Sequence, residues 1–346
     1  MLIAPEHADL SSVAAFAISP RGDILVAQPD DHLIKVFSPS GAPSTIGRKG
    51  SGPGEFQMLT QIGFAGDSLW ALDFAQSRIT IFGADFKHLA TIPMPRLLAP
   101  RNEGTPIGFN GLAMLPGGDL RGSLLVREKS ILPSWGAGLA SGATMIVRAR
   151  PTGTFVARLV DIPESNCRHA YSGGRGGVAM IPFCPERLGT ERSNGTGVAS
   201  VVAEGDRLPE FHYRVSLTNA RGGTEYVRDI PFKAIPVGRA SRDSALRLLA
   251  SNPDSRREIE AGAVKPYPTF PPIRRIVLGR DQSVWLEERT TTRGHRWLVL
   301  DPKGVTVGVV TLPEEVALLA ADLSTIWASI TDANDLQGIV RYRVQN

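Results

Sequence analysis

The sequence predicts an all-β fold, a six-bladed β-propeller of four-stranded blades, and three observations carry that prediction. The first is a repeat. ISPRGDILVAQPDDHLIKVFSPSG (Ile18 to Gly41) superposes on GFAGDSLWALDFAQSRITIFGADF (Gly63 to Phe86), about 45 residues further on, within the 40 to 50 residues typical of propeller blades. The second is period-2 alternation in the short apolar runs, as in Ile79 and Ile81 or Val340, Tyr342 and Val344, which places alternate side chains on one sheet face. The third is punctuation: 36 Gly and 26 Pro in 346 residues suit a chain that reverses often.

Taken in order, the blades are expected to start near Val13, Thr60, Gly111, Met180, Ile273 and Val316 of one domain spanning 1–346. Each clear copy reads as a turn, an apolar strand, a polar turn and a second strand, ending in Phe37 or Phe82 in the first two. The pattern returns as LGRDQSVWLEERTTTRGHRWLVLDPKG (Leu278 to Gly304) and AADLSTIWASITDANDLQGIVRYRV (Ala320 to Val344). Degenerate copies begin at GLAMLPGGDLRGSLLVREKS and GVASVVAEGDRLPEFHYRVSL. A helical solenoid would show helix periodicity in every repeat, and only Ser241 to Ala263 reads as a helix, followed by KPYPTFPP. Residues 238–272 are therefore expected to be a helical, Pro-rich insertion between blades four and five.

Charge and hydropathy exclude some classes. The net charge is +4, with 38 basic residues scattered rather than clustered, whereas nucleic-acid binding wants a concentrated basic face. No stretch approaches the roughly 20 apolar residues of a membrane-spanning helix. The expectation is a monomer with a protein or small-molecule ligand, no nucleic-acid partner and no transmembrane segment.

The glycine-rich run IGRKGSGPGEF (Ile46 to Phe56) could cradle phosphate or join two blades. A dinucleotide fingerprint needs G-x-G-x-x-G opening a helix, and a P-loop needs Gly-Lys-Ser/Thr. Here Lys49 precedes the glycines, Pro53 lacks an N–H, and the strand pair TQIGFAGDSLWAL follows. The run is expected to carry the chain from the outer strand of blade one to the inner strand of blade two. Its glycines would supply turns of positive φ, with Phe56 wedged between blades.

GRKGSGPGEF together with IGFAGDSLWALDFAQSRITIF resembles the NHL-type repeat, a G-x-G-P-G-E-F loop before a strand pair ending D-x-x-x-x-R-I-x-x-F. The whole chain is similar to bacterial six-bladed propellers carrying such repeats, many of them exported. Blade one departs from the pattern, with Gln28 and Leu33 in place of the Asp and Arg, and blade four has lost most of its punctuation.

The resemblance implies that the second strand of each blade runs toward the face where ligands bind. Counting three residues on from Trp70 gives Asp73, and the matching offsets give Gln28, Glu128, Glu204, Glu288 and Ile330. Such carboxylates could form an acidic rim for a cation or basic ligand. The plainer reading, which is favoured, caps turns or pairs Asp73 with Arg78, Glu204 with Arg207, and Glu288 with Arg293 or Arg296, each worth about 0–1 kcal/mol when exposed. No catalytic residue is assigned and no cofactor is expected, calcium or zinc at the funnel being the alternative. A metal-dependent lactonase of this fold would converge Glu, Asn and Asp on the axis, but Asn102, Asn110 and Asn194 share no register. The six histidines, His7 and His169 among them, form no paired motif, and there is no G-x-S-x-G elbow. Ser241 and Ser244 are read as capping the helix.

Cys167 and Cys184 are the two cysteines, 17 residues apart around a glycine-rich segment. A disulfide there would imply an oxidising compartment; the alternative is two buried thiols. MLIAPEHADL lacks the basic and long apolar regions of a signal peptide. Blade six, however, lacks a fourth strand after Val344, so the N-terminal segment is expected to supply it, with a natural start further upstream. Specificity is expected in the long loops, 93–109, 130–142, 166–197 and 238–272. Their Trp135, Tyr171, Tyr267 and Phe270 would line a mouth beside Arg175 and Arg239, or, in the plainer reading, pack the loops onto the blades. The functional expectation is a non-catalytic binding propeller outside the cytoplasm. The alternatives are a metal-dependent hydrolase, lactonase or lyase with its site at the central funnel, and a cytoplasmic location.

Overall fold

A computed structural model describes residues 3–39, 42–95, 105–127, 142–163, 167–170, 178–191, 197–204, 210–219 and 221–345. Blade one comprises β1 (Ala15–Ile18), β2 (Ile24–Gln28), β3 (Leu33–Phe37) and β4 (Ser44–Ile46), preceded by a single helical turn, α1 (Pro5–Ala8). Blade two comprises β5 (Leu59–Ala65), β6 (Ser68–Asp73), β7 (Arg78–Phe82) and β8 (His88–Pro93). Blade three follows as β9 (Thr105–Met114), β10 (Leu120–Arg127), β11 (Gly142–Ala149) and β12 (Phe155–Pro163). A separate hairpin, β13 (Arg168–Ala170) with β14 (Val178–Met180), precedes blade four, which is β15 (Leu188–Glu191), β16 (Gly197–Glu204), β17 (Glu210–Asn219) and β18 (Thr224–Lys233). Helices α2 (Arg239–Leu249) and α3 (Pro253–Glu260) then lead to blade five, β19 (Ile273–Leu278), β20 (Val284–Glu288), β21 (His295–Leu300) and β22 (Thr306–Leu312). Blade six is β23 (Val316–Asp322), β24 (Thr325–Thr331) and β25 (Gln337–Arg343).

Every blade is an antiparallel meander in sequence order, and first strands touch across neighbouring blades, β1 with β5, β5 with β9, β15 with β19 and β19 with β23. The first strands are thus innermost. Burial follows from this stacking: β2 and β20 are buried at every residue, whereas the outer β8 and β22 are largely exposed. A middle strand covered on both faces therefore reads as an apolar run, as ILVAQ does, instead of alternating.

The core is divided among the blade interfaces. Leu25, Ile34 and Phe56 pack with Leu69 and Phe82 between blades one and two, and Trp70 and Ile79 meet Leu120 and Val147 between two and three. Ile146, Leu159 and Val198 join three to four, where buried Arg121 Nη1 also donates to the Gly197 carbonyl at 3.1 Å. Val215 and Leu217 meet Val284 and Leu286, and Trp285 and Trp297 meet Leu318 and Ala328. The ring closes where Ile3 and Leu10 pack with Val26, Trp327 and Ile339. There Ile3 N donates to Ile339 O at 3.0 Å and Ile339 N to Ile3 O at 2.9 Å, while Leu10 bridges Gln337. The N-terminal segment thus takes the fourth place of blade six, as expected, through both Ile3 and Leu10.

Run 46–56 joins β4 to β5. Gly47 adopts φ +85°, and a Cβ there would lie 2.4 Å from the Phe56 ring. Gly54 also has positive φ; Gly50 and Gly52 are needed instead for room, because Glu55 folds back over them. Glu55 accepts from Gly52 N and Arg48 Nε, both at 2.8 Å, and Phe56 is fully buried.

Three expected boundaries shift. Blade three begins at Thr105, ahead of Gly111. Blade four begins at Leu188, because Met180 belongs to the hairpin that pairs 178–180 with 168–170. The helix expected over Ser241 to Ala263 is two, since Pro253 opens a new helix and Asn252 Oδ1 caps it, accepting from Asp254 N at 2.9 Å and Ser255 N at 3.3 Å. No side-chain cap forms at the start of α2, where Gly238 is the N-cap, so Ser241 and Ser244 lie inside the helix.

Candidate functional site

A cleft of about 490 Å³ opens between blades four and five, lined by residues 231–236 on one side and by Glu288, Arg289, Thr290, Thr291 and Arg296 on the other. The ends of β18 and β20 bring these together. Second and fourth strands of a meander run in the same direction, so both ends lie on the face toward which the second strands point. The lining draws nothing from β19, so the cleft lies off the central axis.

Its floor is a hydrogen-bonded chain between the two blades. Tyr213 Oη, on β17, donates to Glu288 Oε1 at 2.8 Å, and Arg296 Nε, directly across the β20–β21 register, donates to Glu288 Oε2 at 3.0 Å. Burial pushes the Tyr213 hydroxyl far above its ordinary range, and the Glu288 charge and hydrogen bond add to this, so it stays a donor. Phe232 packs on the Tyr213 ring at 6.3 Å. Above the floor the Arg289 guanidinium lies 5.1 Å from the centre of the Phe270 ring, itself edge-on to Phe183 at 5.1 Å. Arg289 Nε is buried without a hydrogen-bond partner. Burial and the nearby Arg274 draw the Arg289 guanidinium below its ordinary pKa, partly offset by Glu287.

The insertion frames this cleft. Val237 N donates to Pro268 O at 2.8 Å and Phe270 N to Ile235 O at 2.9 Å, closing a stem below the two helices. Cys167 and Cys184 are joined by a disulfide across the β13–β14 hairpin. That hairpin is tied to the insertion by His169 Nε2 and Glu258 Oε2 at 2.9 Å and by Tyr267 N donating to Pro182 O at 2.9 Å.

No protein-family model and no curated protein matches the chain. Solved structures match at the level of fold. Virginiamycin B lyase from Staphylococcus aureus aligns with 11% identity and TM-score 0.40, covering 97% of each chain. Hydrazine synthase from Kuenenia stuttgartiensis aligns with 12% identity and TM-score 0.42, covering 95% of this chain and 83% of that one. A candidate exported protein from Bacteroides fragilis aligns with 13% identity and TM-score 0.48, covering 97% and 91%. Likeness of this degree says nothing of activity.

Of the residues singled out in the sequence, Glu288 and Arg296 line the cleft. Asp73 is 0% exposed, and it accepts from the amides of Gln57 at 2.8 Å, Met58 at 3.0 Å and Gln76 at 3.2 Å. Arg78 faces Asp73 in register but donates to the carbonyls of Ser51, Gly52 and Glu55, so the expected Asp73–Arg78 ion pair does not form. Glu288 takes Arg296 and not Arg293. Tyr267 is half-buried against the hairpin, and Arg239 is exposed at the start of α2 near Asp243. Glu128, Trp135, Tyr171, Arg175 and Arg207 lie outside the described residues, as do the side chains of Glu204 and His7. Among the described residues no group of three or more His, Cys, Asp and Glu is placed to hold a metal ion, and no helix is long and apolar enough to cross a membrane.

Sequence reasoning missed Tyr213, Lys233 and Arg289. Arg289 follows Glu288 at the strand end, so extending the blade offset by one would have found it. Nothing local marks Tyr213, whose partner is 75 residues away.

Proposed function

We propose that this protein is a non-catalytic, NHL-like binding propeller acting outside the cytoplasm, with its ligand seated in the cleft between blades four and five. The observation that carries the reading is the floor of the cleft. Glu288 is held by Tyr213 and Arg296, which leaves a shaped, rigid concavity and commits its carboxylate to structure instead of chemistry. The Cys167–Cys184 disulfide supports an oxidising compartment.

Thermal-shift screening of a small-molecule and peptide panel tests this, using the wild type beside Thr291→Trp, which would fill the cleft from an exposed lining position. Ligands should raise the wild-type midpoint and leave the variant's unchanged. Hits indifferent to the substitution would place binding elsewhere, and consumption of a hit, followed by chromatography, would make the protein an enzyme.

A further inference from the structure

The geometry points to a small organic anion as the occupant of this cleft, its anionic oxygens held by Arg289 and Lys233 and its apolar body lying on Phe232, Ala234 and Ile235. This rests on reading the cleft as the binding site. Three cations, Lys233, Arg289 and Arg296, line it against one carboxylate, Glu288. Glu288 already binds Arg296 and Tyr213, and Glu287, the other carboxylate near Arg289, is paired with Arg274, Arg275 and His295, so among the described residues neither Arg289 nor Lys233 makes an ion pair. The two differ in kind.

Arg289 is held in place, stacked on Phe270 at 5.1 Å, and its Nε is buried with no acceptor. Buried donors are almost always satisfied, so the Arg289 side chain is short of an acceptor on the protein side. A guanidinium fork offers paired donors to a carboxylate or phosphate. Lys233 is exposed at the end of β18 and supplies a mobile second charge. Between them Pro231, Phe232, Ala234, Ile235 and Pro236 give an apolar wall without competing charge. A neutral ligand would leave the Arg289 charge unanswered, and a cation would be repelled.

Ligand-observed NMR with benzoate, phenyl phosphate and the neutral benzamide tests the assignment on wild type, Lys233→Gln, Arg289→Gln and Thr291→Trp. Benzoate or phenyl phosphate should bind at least tenfold more tightly than benzamide, and whichever is the stronger identifies the head group. Both charge variants should lose that preference, Arg289→Gln by tenfold or more. Higher salt should weaken binding, since the Lys233 contact is exposed. Lys233→Gln lies on the surface and guards against a folding defect in the other variant. Equal binding of benzamide, or anion binding untouched by either charge variant but blocked by Thr291→Trp, would overturn the anion inference while keeping the cleft. Binding of all probes untouched by Thr291→Trp would overturn the cleft reading itself.

Discussion

Gln28 and Asp73 occupy the same place in blades one and two and perform the same task. Gln28 Oε1 accepts from Ser11 N at 2.8 Å and Ser12 N at 3.3 Å, just ahead of β1. Asp73 accepts from Gln57 N and Met58 N, just ahead of β5. The end of each second strand thereby holds the chain as it enters its own blade, and an amide oxygen serves where a carboxylate oxygen does in the next repeat.

Asp73→Asn should destabilise the protein by about 1–3 kcal/mol, because the carboxamide N–H₂ would face an amide that now donates to an oxygen. The substitution should also flatten the acid limb. Burial raises the Asp73 pKa, but the hydrogen bonds from Gln57, Gln76 and Met58 outweigh it and hold the pKa below the ordinary carboxylate value. Its stabilisation is thus full above about pH 4 and is lost as pH falls through the lowered value. Thermal midpoints of both proteins from pH 7 to pH 3 check this; parallel curves would contradict it.

Gly47→Ala should cost about 1–3 kcal/mol, combining positive φ with a Cβ that meets the Phe56 ring. Gly66→Ala shares positive φ but meets nothing within 4 Å. Urea denaturation of the pair separates backbone strain from steric conflict, and Gly47→Ala should be the worse.

Tyr213→Phe removes one of the two hydrogen bonds to the Glu288 carboxylate. The expected loss is about 1–3 kcal/mol. Glu288→Gln in the same background should recover part of it, since a neutral amide is cheaper to leave short of a partner, and a double-mutant cycle measures the coupling.

Replacing both Cys167 and Cys184 with Ser opens a loop of 17 residues, worth up to about 3 kcal/mol by chain entropy. The effect should fall on the hairpin and on its contacts with Glu258 and Tyr267. Hydrogen exchange should rise there and stay unchanged in blades one and two.

Truncation before Asp9 should open the ring between blades one and six, since Ile3 supplies both hydrogen bonds to Ile339. A synthetic peptide of residues 1–12 added to the truncated protein should restore part of the lost midpoint.

The repeat, the turn glycines and the alternation of the apolar runs were legible because each is set by local backbone chemistry. IGRKGSGPGEF was readable as a joint for the same reason: what followed it was a strand. Glu288 was visible through blade offset, a property of repetition along the chain, and Arg296 as one of two nearby arginines that could pair with it. What the linear order could not show was which strand ends meet across a blade boundary. Tyr213 reaches Glu288, Arg289 rests on Phe270, and Ile3 pairs with Ile339 only once the ring has closed. Local periodicity and turn geometry were enough to give the number and order of the blades, while the starts of blades three and four were not legible where the repeat is degenerate. The tertiary structure alone decided the cleft, because burial, charge pairing and an orphaned donor are relations between segments that only packing brings together.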